Sequence, residues 1–407
     1  MLKKYFRTSV IAVVIASLFS ISVVSQAAAD GITWTSRTSA ADNNWRSVAY
    51  GNGLWVAVSE TGTGTNRVMT SADGITWTSR TAASDNNWNS VAYGNGLFVA
   101  VGYTGTGNRV MTSPDGITWT SRTSAEDNEW LSVTYGNGLW VAVSQTGTNR
   151  VMTSPDGITW TSRTAASANK WISVTYGNGL FVAVNWIGPG NRVMTSPDGI
   201  TWTSRTAAAD VDWISVTYGN GLFVAVSVSG TGNRVMTSAD GITWTSRTSA
   251  SNNNWLSVTY GNGLWVAVSQ TGTGNRVMTS ADGITWTSRT SAADNEWYGV
   301  GYGDGLFVAV SITGDGNRVM TSGVIGITAR TAAAAAAAAA ANAEAARKAK
   351  EQKELTEILA LIPSIAELTL GLGETTQSLY STKCVKGKTT KYVKSGAKCP
   401  KGYAKKK

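Results

Sequence analysis

The sequence predicts an all-β fold: a seven-bladed β-propeller of four-stranded antiparallel blades, followed by an α-helical stalk and a small basic tail. Three observations predict this fold. A phrase typified by "SPDGITWTSR" recurs about every 42 residues, each repeat contains four short strand-like runs, and ten consecutive alanines begin where the repeats stop. A fixed period of this length is typical of repeat architectures, in which each copy is one supersecondary unit.

Residues 1–29 have the layout of a secretory signal peptide. Basic residues precede an apolar run over residues 9–24, and Ala27 and Ala29 provide the small residues that precede a cleavage point. A retained membrane anchor is the competing interpretation, but the apolar run is short for a span. We therefore expect cleavage before Asp30, a secreted or cell-surface protein, and no transmembrane span after cleavage.

One repeat, "WNSVAYGNGLFVAVGYTGTGNRVMTSPDGITWTSRT", shows the expected blade. "GNG" and "PDGI" supply tight turns, because glycine and asparagine tolerate positive φ and proline suits the entry of a turn. The four predicted strands are residues 88–93, 97–101, 109–113 and 119–123. No helical period interrupts residues 30–331, so we assign the whole range to the propeller.

The number and arrangement of repeats predict how the ring closes. Seven copies begin at a tryptophan, namely Trp45, Trp88, Trp130, Trp171, Trp213, Trp255 and Trp297. Residues 32–38 form a fourth strand with no blade before it, whereas the blade of residues 297–322 lacks a good fourth strand. We therefore predict that residues 32–38 complete that last blade and remove both open edges.

A β-solenoid or an open array is the alternative architecture. Runs such as "LFVAV" are apolar on both faces. Burial on both faces is what stacked propeller blades require, and it favours the closed ring.

The recurring corner resembles the Asp-box (BNR-like) repeat of the sialidase-like superfamily. The family motif reads Ser-x-Asp-x-Gly-x-Thr-Trp, and this chain has a variant short box, S-x-D-G-I-T-W, with one residue fewer. The resemblance covers residues 30–331 and implies a structural turn between the third and fourth strands. The corresponding structural aspartates are Asp73, Asp115, Asp156, Asp198, Asp240 and Asp282.

Composition excludes several functions. The chain has no histidine, which removes Ser-His-Asp and Cys-His triads and the commonest metal ligand. Carboxylates are not clustered with calcium-type spacing, so we expect no metal and no cofactor. Residues 30–331 contain 17 basic and 19 acidic residues, so nothing in the propeller indicates nucleic-acid binding.

A sialidase-like hydrolase is the alternative to a non-catalytic protein. The family resemblance implies an arginine triad, a tyrosine nucleophile with a glutamate partner, and an acid/base aspartate. Here the arginines repeat as two sevenfold sets, which is typical of scaffold, and only Glu296 has a distinctive tyrosine, Tyr298, close by in sequence. We therefore expect no catalytic residue and no Tyr–Glu pair at the centre.

The residues that differ between blades are the candidate ligand-binding residues. The position after each second strand reads Glu60, Tyr103, Gln145, Trp186, Val228, Gln270 and Ile312. Among these we select Trp186, Tyr103, Gln145 and Gln270. Trp186 either stacks a sugar ring or covers a neighbouring blade. The sequence thus predicts a secreted or cell-surface binding protein, glycan-binding and multivalent through several weak sites, with a purely structural surface component as a further alternative.

After the repeats, residues 332–373 are predicted to form an alanine-rich helical stalk. Residues 374–407 form a lysine-rich tail with the only two cysteines, Cys384 and Cys399, which we expect to pair as a disulfide after export. The last 27 residues contain ten lysines and no acid. This charge favours contact with an anionic envelope surface, while a disordered, solubilising end is the alternative.

Overall fold

Each repeat folds into one antiparallel sheet of four strands, here called a blade. The computed structural model describes residues 31–187, 191–322, 382–393 and 398–406. The predicted signal peptide (residues 1–29) and helical stalk (residues 332–373) lie outside these residues. The chain divides into two units, residues 1–331 and 332–407.

Strands are numbered along the chain, and blades 1 to 7 follow the order of their first strands. The first strands are β2 (Trp45–Gly51), β6 (Trp88–Gly94), β10 (Trp130–Gly136), β14 (Trp171–Gly177), β18 (Trp213–Gly219), β22 (Trp255–Gly261) and β26 (Trp297–Gly303). The second strands are β3 (Leu54–Ser59), β7 (Leu97–Gly102), β11 (Leu139–Ser144), β15 (Leu180–Asn185), β19 (Leu222–Ser227), β23 (Leu264–Ser269) and β27 (Leu306–Ser311).

The third strands are short. They are β4 (Val68–Ser71), β8 (Val110–Ser113), β12 (Val151–Ser154), β16 (Val193–Ser196), β20 (Val235–Ser238), β24 (Val277–Ser280) and β28 (Val319–Ser322). The fourth strands are β5 (Thr78–Arg80), β9 (Thr120–Arg122), β13 (Thr161–Arg163), β17 (Thr203–Arg205), β21 (Thr245–Arg247), β25 (Thr287–Arg289) and, for blade 7, β1 (Trp34–Arg37).

The first two strands of a blade are joined by a two-residue hairpin turn. In blade 2, Asn95 has φ 49° and Gly96 has φ 75°. Two consecutive positive φ values define the turn type that matches the twist of the flanking strands, and asparagine followed by glycine suits it best. The repeated "GNG", replaced by "GDG" at residues 303–305 of blade 7, therefore sets the register of each first hairpin.

Hydrophobic packing between neighbouring blades holds the ring together. The second strands are buried on both faces, as the sequence predicts. Between blades 2 and 3, for example, Val99 and Val101 pack on Trp130, Trp140 and Met152. Seven such clusters join successive blades, including blade 7 to blade 1. The described repeats therefore form a closed seven-bladed β-propeller.

The ring closes through the strand at the start of the repeats. Strand β1 pairs with β28 in antiparallel register, with Trp34 opposite Ser322 and Arg37 opposite Val319. Trp34 is buried in the cluster that contains Trp297 and Phe307. The prediction that residues 32–38 complete the blade of residues 297–322 is confirmed.

The repeated corner is a turn held by its aspartate. In blade 5, Asp240 Oδ1 accepts hydrogen bonds from the backbone N–H groups of Ile242 and Thr243, both at 2.8 Å, and from the hydroxyl of Ser238 at 2.8 Å. Trp244 Nε1 donates to the Gly241 carbonyl at 3.1 Å. The same aspartate bonds recur in the other five complete corners.

The described part of the tail is a small three-stranded sheet. Strand β29 (Thr382–Lys386) pairs with β30 (Thr389–Val393) and with β31 (Ala404–Lys405). Cys384 and Cys399 form a disulfide with their Cα atoms 5.6 Å apart. Among the residues that the structure describes, no helix has the length and apolarity needed to cross a membrane.

Deletion of residues 31–38 should lower the melting temperature sharply. The deletion leaves β28 as an open edge and removes Trp34 from the cluster between blades 6 and 7; loss of one buried tryptophan alone costs about 3–5 kcal/mol. Thermal unfolding followed by circular dichroism measures the effect. Thr35→Ala, an exposed position on the same strand, should change little. An unchanged melting temperature in the deletion would contradict the closing role of β1.

Acid should selectively weaken the aspartate corners. Backbone hydrogen bonds from the following threonine and isoleucine lower the pKa of Asp240 and of Asp282 to about 2. The stabilisation is therefore present above the usual aspartate pKa of about 3.9 and is lost as the pH falls toward about 2. Asp240→Asn should destabilise the protein at pH 6, and the difference from wild type should shrink by pH 2. Denaturant unfolding across pH tests this, with the loop variant Asp315→Asn as the control.

Candidate functional site

The propeller has one prominent cavity, of about 500 Å³, at the mouth of its central channel. A smaller space of about 120 Å³ lies deeper along the first strands. The larger cavity is lined by one position from every blade, by a second position from blades 2 to 7, and by Asn254, and both positions vary between blades. The residues that make the blades unequal therefore meet in one place.

The first lining position follows the tryptophan that opens each blade. In blade 1, Trp45 pairs with Ser59 and Ser47 pairs with Val58, so Arg46 lies in a β-bulge between them. A bulged residue is free of the ladder and can be re-aimed, here toward the channel. The equivalent residues are Arg46, Asn89, Leu131, Ile172, Ile214, Leu256 and Tyr298.

The second lining position follows each second strand, and a repeated arginine holds it in place. In blade 2, Arg109 Nη1 donates to the Tyr103 carbonyl at 2.9 Å, and in blade 6 Arg276 Nη1 donates to the Gln270 carbonyl at 2.7 Å. Equivalent bonds fix the backbone in the other blades. This arginine set holds the cavity rim through its backbone, while the rim side chains are free to differ.

The cavity has two chemically different sides. Four adjacent blades, 3 to 6, contribute branched aliphatic side chains to its floor: Leu131, Ile172, Ile214 and Leu256. The remaining three blades contribute Tyr298, Arg46 and Asn89. We call these the apolar arc and the polar arc. Trp186, Val228 and Ile312 add apolar surface at the rim, and Gln145, Gln270 and Asn254 add amides.

An ion pair organises the polar arc. Arg46 Nε donates to Glu60 Oε2 at 2.7 Å, and the Arg46 guanidinium lies 4.1 Å from the centre of the Tyr298 ring. The Tyr103 hydroxyl donates to Glu60 Oε1. Asn87 Nδ2 in turn donates to the Tyr103 hydroxyl at 3.2 Å. Blades 1 and 2 thus share one hydrogen-bonded cluster, and Tyr298 of blade 7 joins it through the cation–π contact with Arg46.

The cluster shifts the pKa values of its members. Burial opposes both charges of the ion pair, but it is outweighed. Hydrogen bonds from Tyr103 and Arg46 lower the pKa of Glu60. The pKa of Arg46 is raised by two of its own neighbours, Tyr298 and Glu60. Burial and the bond to Glu60 raise the pKa of Tyr103 to about 12. At neutral pH the cluster therefore holds a charged pair and a neutral phenol.

The four candidate ligand-binding residues all line this cavity. Tyr103, Gln145, Trp186 and Gln270 come from blades 2, 3, 4 and 6. They share one space, whereas the sequence analysis expected several separate weak sites, because closing the ring brings the ends of all second strands to the same mouth. Trp186 lines the cavity and also has the Lys170 ammonium 5.6 Å from its ring centre.

The sequence analysis missed the residues after the opening tryptophans. Their variation between otherwise equal copies was the available signal, but the bulge that turns them into the channel has no signature in the sequence.

The expectation of no Tyr–Glu pair at the centre was wrong. Glu60 and Tyr103 are 43 residues apart, and the ring places them in hydrogen-bond contact. Within the described residues, no group of three or more carboxylate or cysteine side chains could hold a metal ion.

Comparisons with known proteins identify the fold. No family model matches the chain, and neither does any curated protein. A solved structure, YCF48 bound to D1 peptide, is similar with a TM-score of 0.56 and 16% identity over 74% of this chain and 99% of that one. A catalytically inactive virginiamycin B lyase from Staphylococcus aureus with quinupristin has a TM-score of 0.62 and 12% identity over 72% of this chain and 100% of that one. At these identities the likeness shows a shared fold.

Glu60→Gln should destabilise the protein by about 1–3 kcal/mol at neutral pH, because it removes the counter-charge of a largely buried Arg46. Since the pKa of Glu60 is lowered, its contribution is present above the usual glutamate value of about 4.3 and is lost as the pH falls further. The difference in the free energy of unfolding between wild type and Glu60→Gln should therefore become smaller in acid. Urea unfolding at several pH values measures this difference. Glu296→Gln is the control, since Glu296 forms no ion pair among the described residues; an equal effect there would contradict a specific role of the cluster.

Proposed function

We propose that this chain is an exported, non-catalytic binding protein that holds its ligand in the central cavity. One observation carries the proposal. The blades are nearly identical where they pack on one another, yet the fourteen residues that line the cavity have mixed chemistry. They are the residue after the opening tryptophan of every blade, the residue after the second strand in blades 2 to 7, and Asn254. A scaffold alone does not need such variation, whereas one asymmetric ligand does.

The comparisons support a binding role at the level of the fold. One similar propeller is described with a bound peptide and another with quinupristin. The repeated corners are consistent with the short Asp-box interpretation, because their aspartates bond the turn backbone. We retain the Asp-box, sialidase-like assignment as part of the proposal.

A glycan is the ligand class that the sequence favoured, and the rim supplies groups that suit one. Trp186 and Tyr103 provide aromatic surface, and Gln145 and Gln270 provide amides for hydroxyl groups. Because the variable residues of all blades meet at this one cavity, we expect one glycan end per chain. We further propose that residues 1–29 direct export of the chain. The lysine-rich tail then contacts an anionic envelope surface. A purely structural surface component is the alternative without a ligand.

The Tyr103–Glu60 contact favours one second candidate, a sialidase-like hydrolase. In enzymes of that kind a glutamate activates a tyrosine nucleophile. Here, however, Glu60 is also bound by Arg46, and the pKa of Tyr103 is raised to about 12, which keeps the phenol protonated. Both features oppose nucleophilic attack at neutral pH. We therefore rank hydrolysis second.

Binding and turnover assays on the same protein separate these functions. Binding of the full chain to polymeric glycans and to their monomers is measured by calorimetry, with sialoside hydrolysis assayed in parallel. We expect binding with one ligand per chain, weakened at least about tenfold by Trp186→Ala, and no turnover. Trp77→Phe, at a corner remote from the cavity, is the matched aromatic control. Turnover that Glu60→Gln or Tyr103→Phe abolishes would instead establish the hydrolase, and absence of any ligand would favour the structural component.

A further inference from the structure

We propose that the cavity binds a peptide segment that inserts one uncharged, apolar side chain along the channel axis. This inference rests on the proposed function, because it concerns the same cavity, and it names a peptide in place of the glycan as the ligand. It follows from three features: the apolar arc, the rim amides, and the internal neutralisation of the polar arc.

The apolar arc lies at the floor of the cavity. Leu131, Ile214 and Leu256 are largely buried, Ile172 is half-buried, and all four line the cavity. A sugar placed there would leave hydroxyl groups without partners, which costs about 1–3 kcal/mol for each buried group. A branched aliphatic or aromatic side chain gains from the same surface. The deepest part of the ligand is therefore apolar.

The amides lie above this floor, at the level where a peptide backbone would pass. The Gln270 side chain forms no hydrogen bond among the described residues. Gln145 uses only its Nε2, which donates to Glu129 Oε2, and Asn254 uses its Oδ1, which accepts from Arg234 at 2.8 Å. The remaining donors and acceptors complement backbone N–H and C=O groups. An acyl chain would leave them unpaired, so the rim favours a peptide over a lipid.

Charge decides which side chains are excluded. The only charged residue that lines the cavity within the described residues is Arg46, and Glu60 already pairs with it. A charged ligand side chain on the apolar arc would therefore be buried without a partner. At about 500 Å³ the cavity is large enough for one apolar side chain and the flanking backbone.

A display selection tests this inference. Random heptapeptides are selected on the full chain and, separately, on two variants: Ile172→Asn, which places an amide in the apolar arc, and Ile312→Asn, which places one in the apolar surface of the rim. Ile242→Asn is the matched control, because Ile242 is an exposed isoleucine at a corner, 42% accessible. Enriched peptides are then synthesised and titrated by calorimetry. Circular dichroism verifies that each variant is folded, and using two variants guards against loss of one through misfolding.

We expect the peptides enriched on wild type and on Ile242→Asn to share one aliphatic or aromatic residue and to bind with one peptide per chain. Replacing that residue with alanine, or Ile172 with asparagine, should weaken binding at least about tenfold. Three results would overturn the inference: enrichment of the same peptides on both cavity variants as on wild type, enriched peptides that lack an apolar residue, or no enrichment on wild type. If glycans bind in a manner sensitive to Ile172→Asn while no peptide is enriched, the proposed function stands and only this inference fails.

Discussion

The close approach of neighbouring first strands is the constraint on which the structure depends. Each first strand ends in a glycine against which the tyrosine of the next blade packs. A Cβ added at Gly177 would lie only 2.0 Å from the Tyr218 ring. Above this contact, the hydroxyl of Ser173 accepts a hydrogen bond from the Val216 N–H at 3.1 Å. Because these contacts repeat around the ring, the spacing between blades is the same in each copy, and the radius of the channel follows from it.

The seam between blades 7 and 1 is the exception that shows how the ring closes. Gly299 replaces the serine of the other first strands, and a Cβ there would lie 2.7 Å from the Arg46 carbonyl. The hydroxyl bond is absent at this joint. The outer edge of blade 7 itself is formed by β1, from the start of the repeats, paired with β28. Strand pairing at the outer edge of blade 7 and close contact between the first strands of blades 7 and 1 thus complete the ring. Blade 7 is the blade that combines strands from both ends of the repeat region.

Much of this architecture could be predicted from the sequence, because repetition exposes what packing requires. The blade count, the two-sided burial of the second strands and the closing strand all follow from residues that recur or fail to recur. The candidate site was predicted only in part. Trp186 and Tyr103 were visible as variation at a strand end, whereas Arg46 and Tyr298 depend on a bulge that the sequence does not mark. The Tyr103–Glu60 contact depends on how blades 1 and 2 stack and has no local signal in the sequence.

The division between constant and variable positions explains why the variable residues gather at the channel mouth. A substitution in the packed blades disturbs the inter-blade contact on which the ring depends. A bulged residue such as Ile172 has no ladder partner, and a rim residue such as Gln270 is held through its carbonyl by Arg276. These positions therefore vary without altering the contacts between blades. Every blade places one such position at the cavity, and blades 2 to 7 place a second, so a nearly symmetric repeat can acquire an asymmetric site.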